Sequence, residues 1–452
     1  MTATRRQALA GAGAVGASIA FSGAFTELFT GTAAARGHGG YGPLVPDPAG
    51  LLDLPEGFRY TVLSRQGQPL RSGEGPVPSN FDGMAAFQGS RGHVVLVRNH
   101  ENRYNGRIGV PTVEGLTYDP MAKGGCTALE LDGRNNVLSE RVAIAGTAVN
   151  CAGGPTPWGT WLTCEETEDR AGTNGYTKDH GFIFEVDGGD PHLTGAVPLT
   201  AMGRFQHEAI AVDPSTGIVY ETEDAFEQPF GLFYRFLPDR PLGGTGSLRA
   251  GGHLQAMRVP GVPDLSRIQE TGARFDRIEW VPVPDSQATT TPIRHQDFGR
   301  RGVTHAQKLE GCYWGGRSVY FVSSYARSAE GSAGDHFGQV WRYEPHRRRL
   351  TLVIVFGPGT DVQLPGESPD NICLAPCGGL MVAEDGDGAQ HVYGVTKRGE
   401  VYAMARNRQN TGTPTKPTWG EFAGVSFSPD DATMYVNVYN PGTTFAVTGP
   451  WH

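Results

Sequence analysis

Six segments of the chain share one order of residues, and this repeat constrains the fold more than any other feature. Each begins with a polar or acidic residue, continues as a short apolar strand, turns at Gly, Pro or Asp, and ends a second strand on polar or acidic residues. The segments are residues 82–101, 151–166, 208–224, 310–324, 370–385 and 421–440. Most of their spacings suit propeller blades, which are typically about 40–50 residues long, once loops are added. The sequence therefore predicts an all-β, six-bladed β-propeller closed into a ring around a central channel.

The composition supports short strands joined by tight turns. The 452 residues include 65 glycines and 32 prolines, the residue types that favour sharp changes of chain direction. Alternating patterns such as "HVVLV" and "TMYVNV" recur, whereas no long stretch repeats apolar residues with the 3.6-residue period of a helix. A pair of β-sandwiches with similar hairpins is the alternative fold that this pattern leaves open.

The first 35 residues have the features of an export signal. Arg5 and Arg6 precede a weakly apolar, Ala/Gly-rich run, and small residues near Ala35 offer a cleavage site. The pattern resembles a twin-arginine signal. We therefore expect export, through the twin-arginine translocation machinery, to the cell envelope (the periplasm) or the medium. An ordinary secretory signal or a short membrane anchor is the alternative.

Residues 36–452 are interpreted as a single propeller domain with a Pro/Arg-rich insertion around residues 238–305. No later stretch reaches the roughly 18 uncharged apolar residues of a spanning helix, so we expect no stable membrane span. The chain carries 47 acidic and 38 basic residues, a net charge of −9, which argues against a nucleic-acid partner. We expect a monomer that acts on a small molecule.

The repeat also predicts where the polar residues meet. In an antiparallel hairpin, the first residue of one strand and the last residue of the next lie at the same end. If each hairpin is the inner pair of its blade, its two polar ends line one mouth of the channel. The predicted pairs are Asp82 with Glu101, Cys151 with Glu166, Glu208 with Asp224, Glu310 with Ser323, Asp370 with Glu384, and Glu421 with Asn437.

A ring of carboxylates at one mouth predicts bound cations. Buried carboxylates that repel each other cannot all stay ionised without compensation, and hard oxygen ligands suit Ca²⁺ or Mg²⁺. A single acid at a strand end is most simply a solvated turn residue, but recurrence across the hairpins favours a metal site. Because side chains alternate along a strand, Glu165, Glu221 and Glu223 are expected to point away from Glu166 and Asp224.

Cys151 stands where most other hairpins begin with an acid. A thiolate among carboxylates is unusual for a site that holds only calcium, because soft sulfur selects transition metals. Cysteines in an exported protein can instead form disulfides, and the spacing allows Cys151 with Cys164 and Cys373 with Cys377. Both interpretations of Cys151 are open at this point.

Several of these segments resemble the PhoX-type alkaline phosphatases. The resemblance is carried by "NCAGGPTPWGTWLTCEE", "HEAIAVDPSTGIVYETED", "LEGCYW", "SPDNI" and "VSFSPDDATMYVNVYNPG", which follow in order along most of the chain after residue 35. It implies a six-bladed propeller, export by the twin-arginine route, and hydrolysis of phosphate monoesters. It also implies a cofactor of two Fe³⁺ ions bridged by an oxo group, accompanied by Ca²⁺ ions.

Carried over residue by residue, the resemblance also implies a set of metal ligands. The cysteine ligand to iron corresponds to Cys151. The carboxylate ligands correspond to Glu166, Glu208, Asp224, Glu310 and Asp370, and Glu101 and Glu421 are further matches.

One position departs from the family pattern. The family has an arginine for substrate phosphate two residues before the counterpart of Glu310, and here that residue is Lys308. Lysine binds phosphate as a point charge rather than as a fork. Arg327, which follows the fourth hairpin, is the candidate for a second phosphate-binding arginine. His207 and His305 could orient a ligand or bind phosphate, although ordinary loop histidines are the simpler interpretation.

These observations predict an exported, metal-dependent phosphatase that hydrolyses phosphate monoesters with an iron and calcium cluster in the channel. Lys308 and Arg327 are the predicted catalytic side chains, because they would stabilise charge that develops on the phosphoryl oxygens. Two alternatives are a calcium-only propeller hydrolase, such as a lactonase or phosphotriesterase, and a metal-stabilised binding propeller without catalysis.

Overall fold

Six antiparallel sheets make up the structure, a computed structural model that describes residues 40–325, 338–356, 368–386 and 388–451. The innermost strands of successive sheets contact one another around a ring, and the last contacts the first. The sheets are therefore the blades of a six-bladed propeller, and the predicted all-β fold is confirmed.

We number the blades in chain order of their inner hairpins and give the strands from the innermost outward. Blade 1 comprises Phe81–Gln88, Val94–His100, Gly124–Leu131 and Val137–Thr147, and blade 2 comprises Asn150–Pro155, Trp161–Glu165 and Ile183–Val186. Blade 3 comprises His207–Val212, Val219–Glu223, Gly231–Pro238, Gly252–Arg258 and Glu279–Pro282, and blade 4 comprises Leu309–Gly315, Ser318–Ser323, Gln339–Glu344, Arg349–Val355 and Arg274–Asp276. Blade 5 comprises Pro369–Leu374, Leu380–Glu384, His391–Val395, Val401–Asn407, Leu52–Pro55 and Leu44–Val45, and blade 6 comprises Phe422–Phe427, Thr433–Val438, Thr443–Thr448 and Arg59–Arg65.

The helical segments among the described residues are short 3₁₀ turns. They lie at Ser90–Gly92, Pro191–Leu193, Thr200–Met202, Ser247–Ala250, Leu265–Arg267, Ile293–His295, Gly299–Arg301 and Pro345–Arg347. No helix in this part of the chain has the length and apolar character that crossing a membrane requires.

A strand from the first part of the described chain and one from its last part pair within blade 6. The early strand Arg59–Arg65 pairs with Thr443–Thr448 as the outermost strand of blade 6. Residues before it, Leu52–Pro55, pair with Val401–Asn407 of blade 5. This closure holds the ring together, because opening it would require breaking a complete strand pairing.

The segment 238–305 adds strands to the outer edges of two neighbouring blades. Gly252–Arg258 and Glu279–Pro282 extend blade 3, and Arg274–Asp276 pairs with Arg349–Val355 at the edge of blade 4. The short strand His305–Ala306 pairs with Gly231–Pro238. The strands of this segment thus lie at the outer edges of blades 3 and 4, whereas Arg294 of the same segment contacts Glu168 and Glu223.

Close packing of the inner strands leaves no room for side chains at some positions. A Cβ atom on Gly83 would lie 2.6 Å from the Ala152 Cα atom, and one on Gly311 would lie 2.6 Å from the carbonyl oxygen of Asp370. These glycines directly follow Asp82 and Glu310, so small residues beside the acids allow adjacent blades to approach at the channel.

Apolar side chains fill the spaces between neighbouring blades. Phe233 of blade 3 stacks on Phe321 of blade 4 with ring centroids 4.2 Å apart, and both rings are buried. Burial of a large apolar side chain contributes about 1.5–3 kcal/mol. The inner hairpins are therefore held by packed interfaces on both sides, which makes them a rigid support for a site.

Candidate metal centre

A β-bulge interrupts each inner hairpin at the mouth of the channel. The strand register shifts between Phe81 and Met84, Asn150 and Gly153, His207 and Ile210, Leu309 and Cys312, Pro369 and Ile372, and Ala423 and Ser426. A bulge leaves residues unpaired and re-aims their side chains. In blades 1 to 5 the residue at the start of the bulge is a possible metal ligand: Asp82, Cys151, Glu208, Glu310 and Asp370.

Blade 6 differs, because no acid lies within its bulge. Glu421 precedes the strand Phe422–Phe427 and is only half-buried. The carbonyl oxygen of Glu421 accepts a hydrogen bond from the Tyr439 amide at 3.0 Å. Glu421 is therefore not the counterpart of the acids in the other blades, and its predicted equivalence to Glu208 and Glu310 is wrong.

The six residues that directly follow the second strands form the other half of the ring of polar residues at the channel mouth. In blades 1 to 3 these residues are Glu101, Glu166 and Asp224, as predicted from the hairpin ends. In blades 4 to 6 the register places Ser324, Asp385 and Tyr439 there, instead of the predicted Ser323, Glu384 and Asn437.

The residues that were predicted at these three positions bond elsewhere. The Ser323 hydroxyl donates to the Gln307 carbonyl at 2.6 Å, with the Tyr325 carbonyl 3.0 Å away, and the Asn437 amide donates to the Asp82 carbonyl. Ser324, by contrast, donates its hydroxyl to Glu310 Oε1 at 3.0 Å. In blades 4 and 5 the prediction is one residue short, and an error of one residue turns a strand side chain to the opposite face, whereas in blade 6 the prediction is two residues short.

Acid doublets end three of the second strands, and the first acid of each turns away from the channel. Glu165 accepts from the amides of Gly181 and Phe182, Glu223 accepts from the Leu232 amide and the Tyr234 hydroxyl, and Glu384 accepts from the His391 amide. The expectation that Glu165 and Glu223 point away from Glu166 and Asp224 is confirmed. The same rule, applied to the third doublet, would have selected Asp385 over Glu384.

Two triads of possible ligand atoms lie side by side in the channel. Cys151, Glu166 and Glu208 form the first, and Glu208, Asp224 and Glu310 form the second. Within each triad the ligand atoms lie within 4.8 Å of one another, and all five residues are buried. Because Glu208 belongs to both, the two triads are neighbours that share one carboxyl group.

Asn99 of blade 1 holds the backbone that carries Cys151. Its amide donates to the carbonyl oxygens of Cys151 at 3.1 Å and Ala152 at 2.7 Å. Its side-chain oxygen accepts from Trp161 and Thr163 of blade 2, so Asn99 is itself fixed from two sides. The position of the thiol thus depends on a polar network between blades.

The electrostatics of the two triads call for a cation. Burial raises the pKa of Glu208 well above its usual value, and the nearby carboxylates of Glu310 and Glu166 raise it further. Burial also raises the pKa of the Cys151 thiol, with Glu208 adding to the effect. Among the described residues, Glu208 Oε2 and Asp224 Oδ1 are buried without a hydrogen-bond partner. Bound metal ions would compensate this charge and fill these positions, so the donor set fits a metal centre.

The other predicted ligands lie close by but outside both triads. Asp370 is buried, its carboxylate accepts from the Asn371 amide at 3.0 Å, and its charge contributes to the raised pKa of Glu208. Glu101 is buried in blade 1. Burial raises the pKa of Tyr439, and the negative charges of Glu101 and Glu421 raise it further. These two acids therefore lie near the Tyr439 hydroxyl.

Each triad has its own cationic side chain beside it, Lys308 at the second triad and Arg103 at the first. The Lys308 ammonium contacts Glu310 and lies 3.3 Å from Asp224 Oδ2, and the Lys308 backbone has a left-handed φ of 50°. Arg103, which the sequence prediction missed, lies with Nη2 3.2 Å from Glu101 Oε1 and 3.7 Å from Glu166 Oε2. Its side chain is 51% exposed, so it is accessible from solvent. Arg327 lies outside the described residues.

The remaining candidates have structural partners. The His305 ring contacts the Phe230 carbonyl at 2.6 Å, and His207 is buried with Nε2 3.2 Å from the Gly203 carbonyl. All six cysteines are unpaired, so neither of the possible disulfides is present. The Cys151 thiol instead donates to the His207 carbonyl at 3.2 Å.

A thiol and several carboxylates that converge on the axis of six blades define a propeller with a candidate metal centre in its channel. The chain belongs to the alkaline phosphatase PhoX family, whose sequence profile matches residues 39–143 and 134–442. The resemblance seen in the sequence is therefore confirmed, and the chain is a phosphatase by family.

Among the solved structures that are similar to the chain, a PhoX structure supports this architecture. Pseudomonas fluorescens PhoX, in complex with the transition-state analogue vanadate, is 17% identical, with 90% of this chain and 97% of that chain covered and a TM-score of 0.65. A gluconolactonase from Xanthomonas campestris is 12% identical over 91% of this chain and 99% of that chain, with a TM-score of 0.44. The pyranose dehydrogenase PQQ domain from Coprinopsis cinerea is 10% identical over 89% of this chain and 98% of that chain, with a TM-score of 0.40. No curated protein sequence matches the chain.

Proposed function

We propose that the chain is an exported phosphatase that hydrolyses phosphate monoesters at a cluster of iron and calcium ions in the propeller channel. The proposed ligands are Cys151, Glu166, Glu208, Asp224 and Glu310, with Asp370, Glu101 and Glu421 beside them. The observation that carries the proposal is the sharing of Glu208 by a triad that contains a thiol and a triad of carboxylates alone.

The donor sets of the two triads differ in the metal that they favour. The thiolate of Cys151 favours a transition metal such as iron, and the all-oxygen triad suits calcium. Such cations, when bound, would neutralise phosphate oxygens and supply Lewis acidity for hydrolysis. Glu208 would then have both of its oxygens in use, which accounts for a buried carboxylate oxygen that has no hydrogen bond among the described residues.

Two cationic side chains of the chain would bind and orient the phosphate. Lys308 contacts carboxylates of the second triad, and Arg103 reaches a carboxylate of the first from a half-exposed position. Both can donate hydrogen bonds to phosphoryl oxygens, and Arg103 can do so as a fork. Donors placed where negative charge develops lower the barrier of phosphoryl transfer. Arg327 is retained as a further proposed contact.

Turnover of p-nitrophenyl phosphate by the mature chain tests this function. Protein loaded with both iron and calcium is expected to turn over the ester, and protein freed of metals by chelation is expected to be inactive. Elemental analysis of the active sample should find both metals. Absence of turnover in fully metallated protein would overturn the proposed reaction. Full activity with calcium alone would overturn the mixed cluster and leave the phosphatase assignment intact.

Export by the twin-arginine route is a separate proposal for residues 1–35. Replacement of Arg5 and Arg6 by lysine should leave the precursor inside the cytoplasm, because the arginine pair is the feature that the route reads. Immunoblots of cell fractions measure this. Normal export of the double variant would favour an ordinary secretory signal.

A further inference from the structure

A cavity of about 610 Å³ lies between the outer parts of blades 3 and 4. Asp213, one of its lining residues, directly follows the first strand of blade 3, whose other end carries Glu208. The cavity therefore lies at the opposite strand ends from the candidate metal centre. Its volume is within the range of about 300–1,000 Å³ that is typical of small-molecule sites.

Aromatic rings form one wall of this cavity. The Trp280 indole donates to the Tyr343 hydroxyl at 3.1 Å, and the two rings meet edge to face with centroids 5.6 Å apart. Tyr220 lies 5.8 Å from the Tyr343 ring and 6.0 Å from the Trp280 ring. Trp280 is only half-buried, so part of this wall faces the open cavity. Such a wall suits a flat apolar group.

Three arginines face the same space: Arg235, Arg301 and Arg348. Arg235 donates from Nε to Gln255 at 2.8 Å, with its guanidinium 4.8 Å from the Trp280 ring centroid. Arg348 donates from Nε to the Ile278 carbonyl at 3.0 Å. Arg235 and Arg348 are thus each held through the Nε atom. Within the described part of the chain, none of the three arginines forms an ion pair with a carboxylate. Burial lowers the pKa of Arg235, and the charge of Arg348 lowers it further.

The two acids that line the cavity already have partners of their own. The Asp213 carboxylate accepts from the Ser215 and Thr216 hydroxyls at 2.7 Å. Glu279 pairs with Arg258 at 2.8 Å. Only the charge of Glu279 is offset by a cation, so the three guanidinium groups face one remaining carboxylate, that of Asp213, and the lining keeps an excess of positive charge although the whole chain has a net charge of −9. An unbalanced guanidinium cluster beside aromatic rings is an arrangement that recognises anions.

We propose that this cavity is a second ligand site, which binds a small organic anion that carries a flat ring. The anionic group contacts the guanidinium groups of Arg348, Arg301 and Arg235, and the ring packs on Trp280 and Tyr343. The site does not depend on the function proposed for the channel, because it shares no residue with the two triads.

Phenylphosphonate is a suitable probe, because its carbon–phosphorus bond is not a phosphoester and the enzyme does not consume it. The metal-loaded mature chain is labelled with 5-fluorotryptophan, and the resonance of residue 280 is assigned with Trp280→Phe. Titration should shift this resonance in a saturable manner. Arg348→Gln and Arg301→Gln should each weaken the response by about tenfold, because each removes one charged donor. Arg347→Gln is the matched control, since Arg347 is an exposed neighbour that does not line the cavity.

Each result decides the proposal. An unshifted Trp280 resonance at millimolar probe, or an equal response in Arg348→Gln, Arg301→Gln and Arg347→Gln, overturns it. Methylphosphonate, which has no ring, should bind about tenfold more weakly, and equal binding would refute the role of the aromatic wall. Turnover of p-nitrophenyl phosphate should be unchanged in Arg348→Gln, and a parallel loss of turnover would contradict a separate site. Thermal unfolding of both arginine variants checks that each is folded.

Discussion

The ammonium group of Lys308 lies 3.3 Å from Asp224 Oδ2 and also contacts Glu310, the two carboxylates that complete the second triad with Glu208. A residue of the loop between blades 3 and 4 therefore brings a positive charge directly to the candidate metal centre. The Lys308 backbone, with a left-handed φ of 50°, is held by hydrogen bonds from its amide to the Ala225 carbonyl and from the Ser324 amide to its carbonyl.

Loss of the Lys308 charge should reduce phosphatase activity. We expect Lys308→Met to lower kcat/KM for p-nitrophenyl phosphate by about 100-fold, the usual effect of removing one donor to developing negative charge. Lys308→Arg, which keeps the charge and adds a fork, should stay within about tenfold of the wild type. Steady-state kinetics with metal analysis measure both. Wild-type kinetics in Lys308→Met would show that the ammonium serves only to balance the carboxylates.

Arg103 should affect substrate binding more than metal binding. Because its side chain is 51% exposed and its contact with Glu166 is long, at 3.7 Å, Arg103→Gln should raise KM by about tenfold while leaving iron and calcium contents unchanged. Arg103→Lys is the control that keeps the charge. Loss of metal in Arg103→Gln, with no separate effect on KM, would instead assign Arg103 to the positioning of Glu166.

Cys151 should determine the retention of iron. We expect Cys151→Ser to lose iron and keep calcium, because a hydroxyl does not replace a soft thiolate ligand. Cys373→Ser is the matched control, since Cys373 is equally buried but packs in the apolar core between blades 5 and 6. Elemental analysis of both variants is the measurement. A wild-type iron content in Cys151→Ser would contradict a thiolate ligand.

Arg294 should contribute strongly to stability. It comes from the segment 238–305 and bridges Glu168 and Glu223, each at 3.0 Å, with only 13% of its side chain exposed. Arg294→Met leaves Glu223 buried without its cation and should lower the free energy of unfolding by about 3–5 kcal/mol. Urea unfolding measures this.

The exposed pair of Arg274 and Asp276 is the natural control for Arg294. Arg274→Met should cost less than about 1 kcal/mol, because both members of this pair are open to solvent. The double variant Arg294→Met with Glu223→Gln should recover part of the loss. Equal effects of Arg294→Met and Arg274→Met would rule out a buried ion pair as the cause.

Glu221 should make stability depend on pH. Burial raises the pKa of Glu221 well above 4.5, and neither of its carboxylate oxygens has a hydrogen bond among the described residues. The folded protein therefore retains a proton that the unfolded chain releases. The stability that this proton provides is complete below pH 4.5 and is lost as the pH rises toward the folded pKa, by about 1.4 kcal/mol per pH unit.

Replacement of Glu221 by glutamine should remove that dependence. The stability of Glu221→Gln relative to the wild type is expected to increase with pH, and unfolding curves between about pH 5 and pH 8 would measure it. Glu270→Gln, at an exposed position, should show no such trend. Parallel pH profiles for the wild type and Glu221→Gln would contradict a raised pKa.

Part of the candidate site was predictable because its signals are local. The doublets Glu165–Glu166 and Glu223–Asp224 end strands, and alternation of side chains correctly assigns the second member of each to the channel. Ser324 and Asp385 were missed because the prediction counted one residue short in blades 4 and 5. The third doublet, Glu384–Asp385, carried a usable signal, since its first acid caps the next strand as the other two do.

Other features had no local signal. Arg103 follows a strand of blade 1 but reaches Glu166 of blade 2, so its role depends on how two blades pack. The β-bulges that hold Cys151, Glu208 and Glu310 are set by pairing between strands, and nothing in the alternating pattern marks them. Glu421 was matched to these residues by its place before a strand, whereas the register of blade 6 excludes it.

The sequence by itself determined that six hairpins form and that their polar ends gather at one mouth, because strand, turn and strand are specified by neighbouring residues. Only the tertiary structure decided which of those polar side chains enter the channel and which cap a neighbouring strand. That choice depends on bulges, on one-residue differences in register, and on closure of the ring by Arg59–Arg65. These are contacts between segments far apart in the chain, and their energies appear only when the blades pack together.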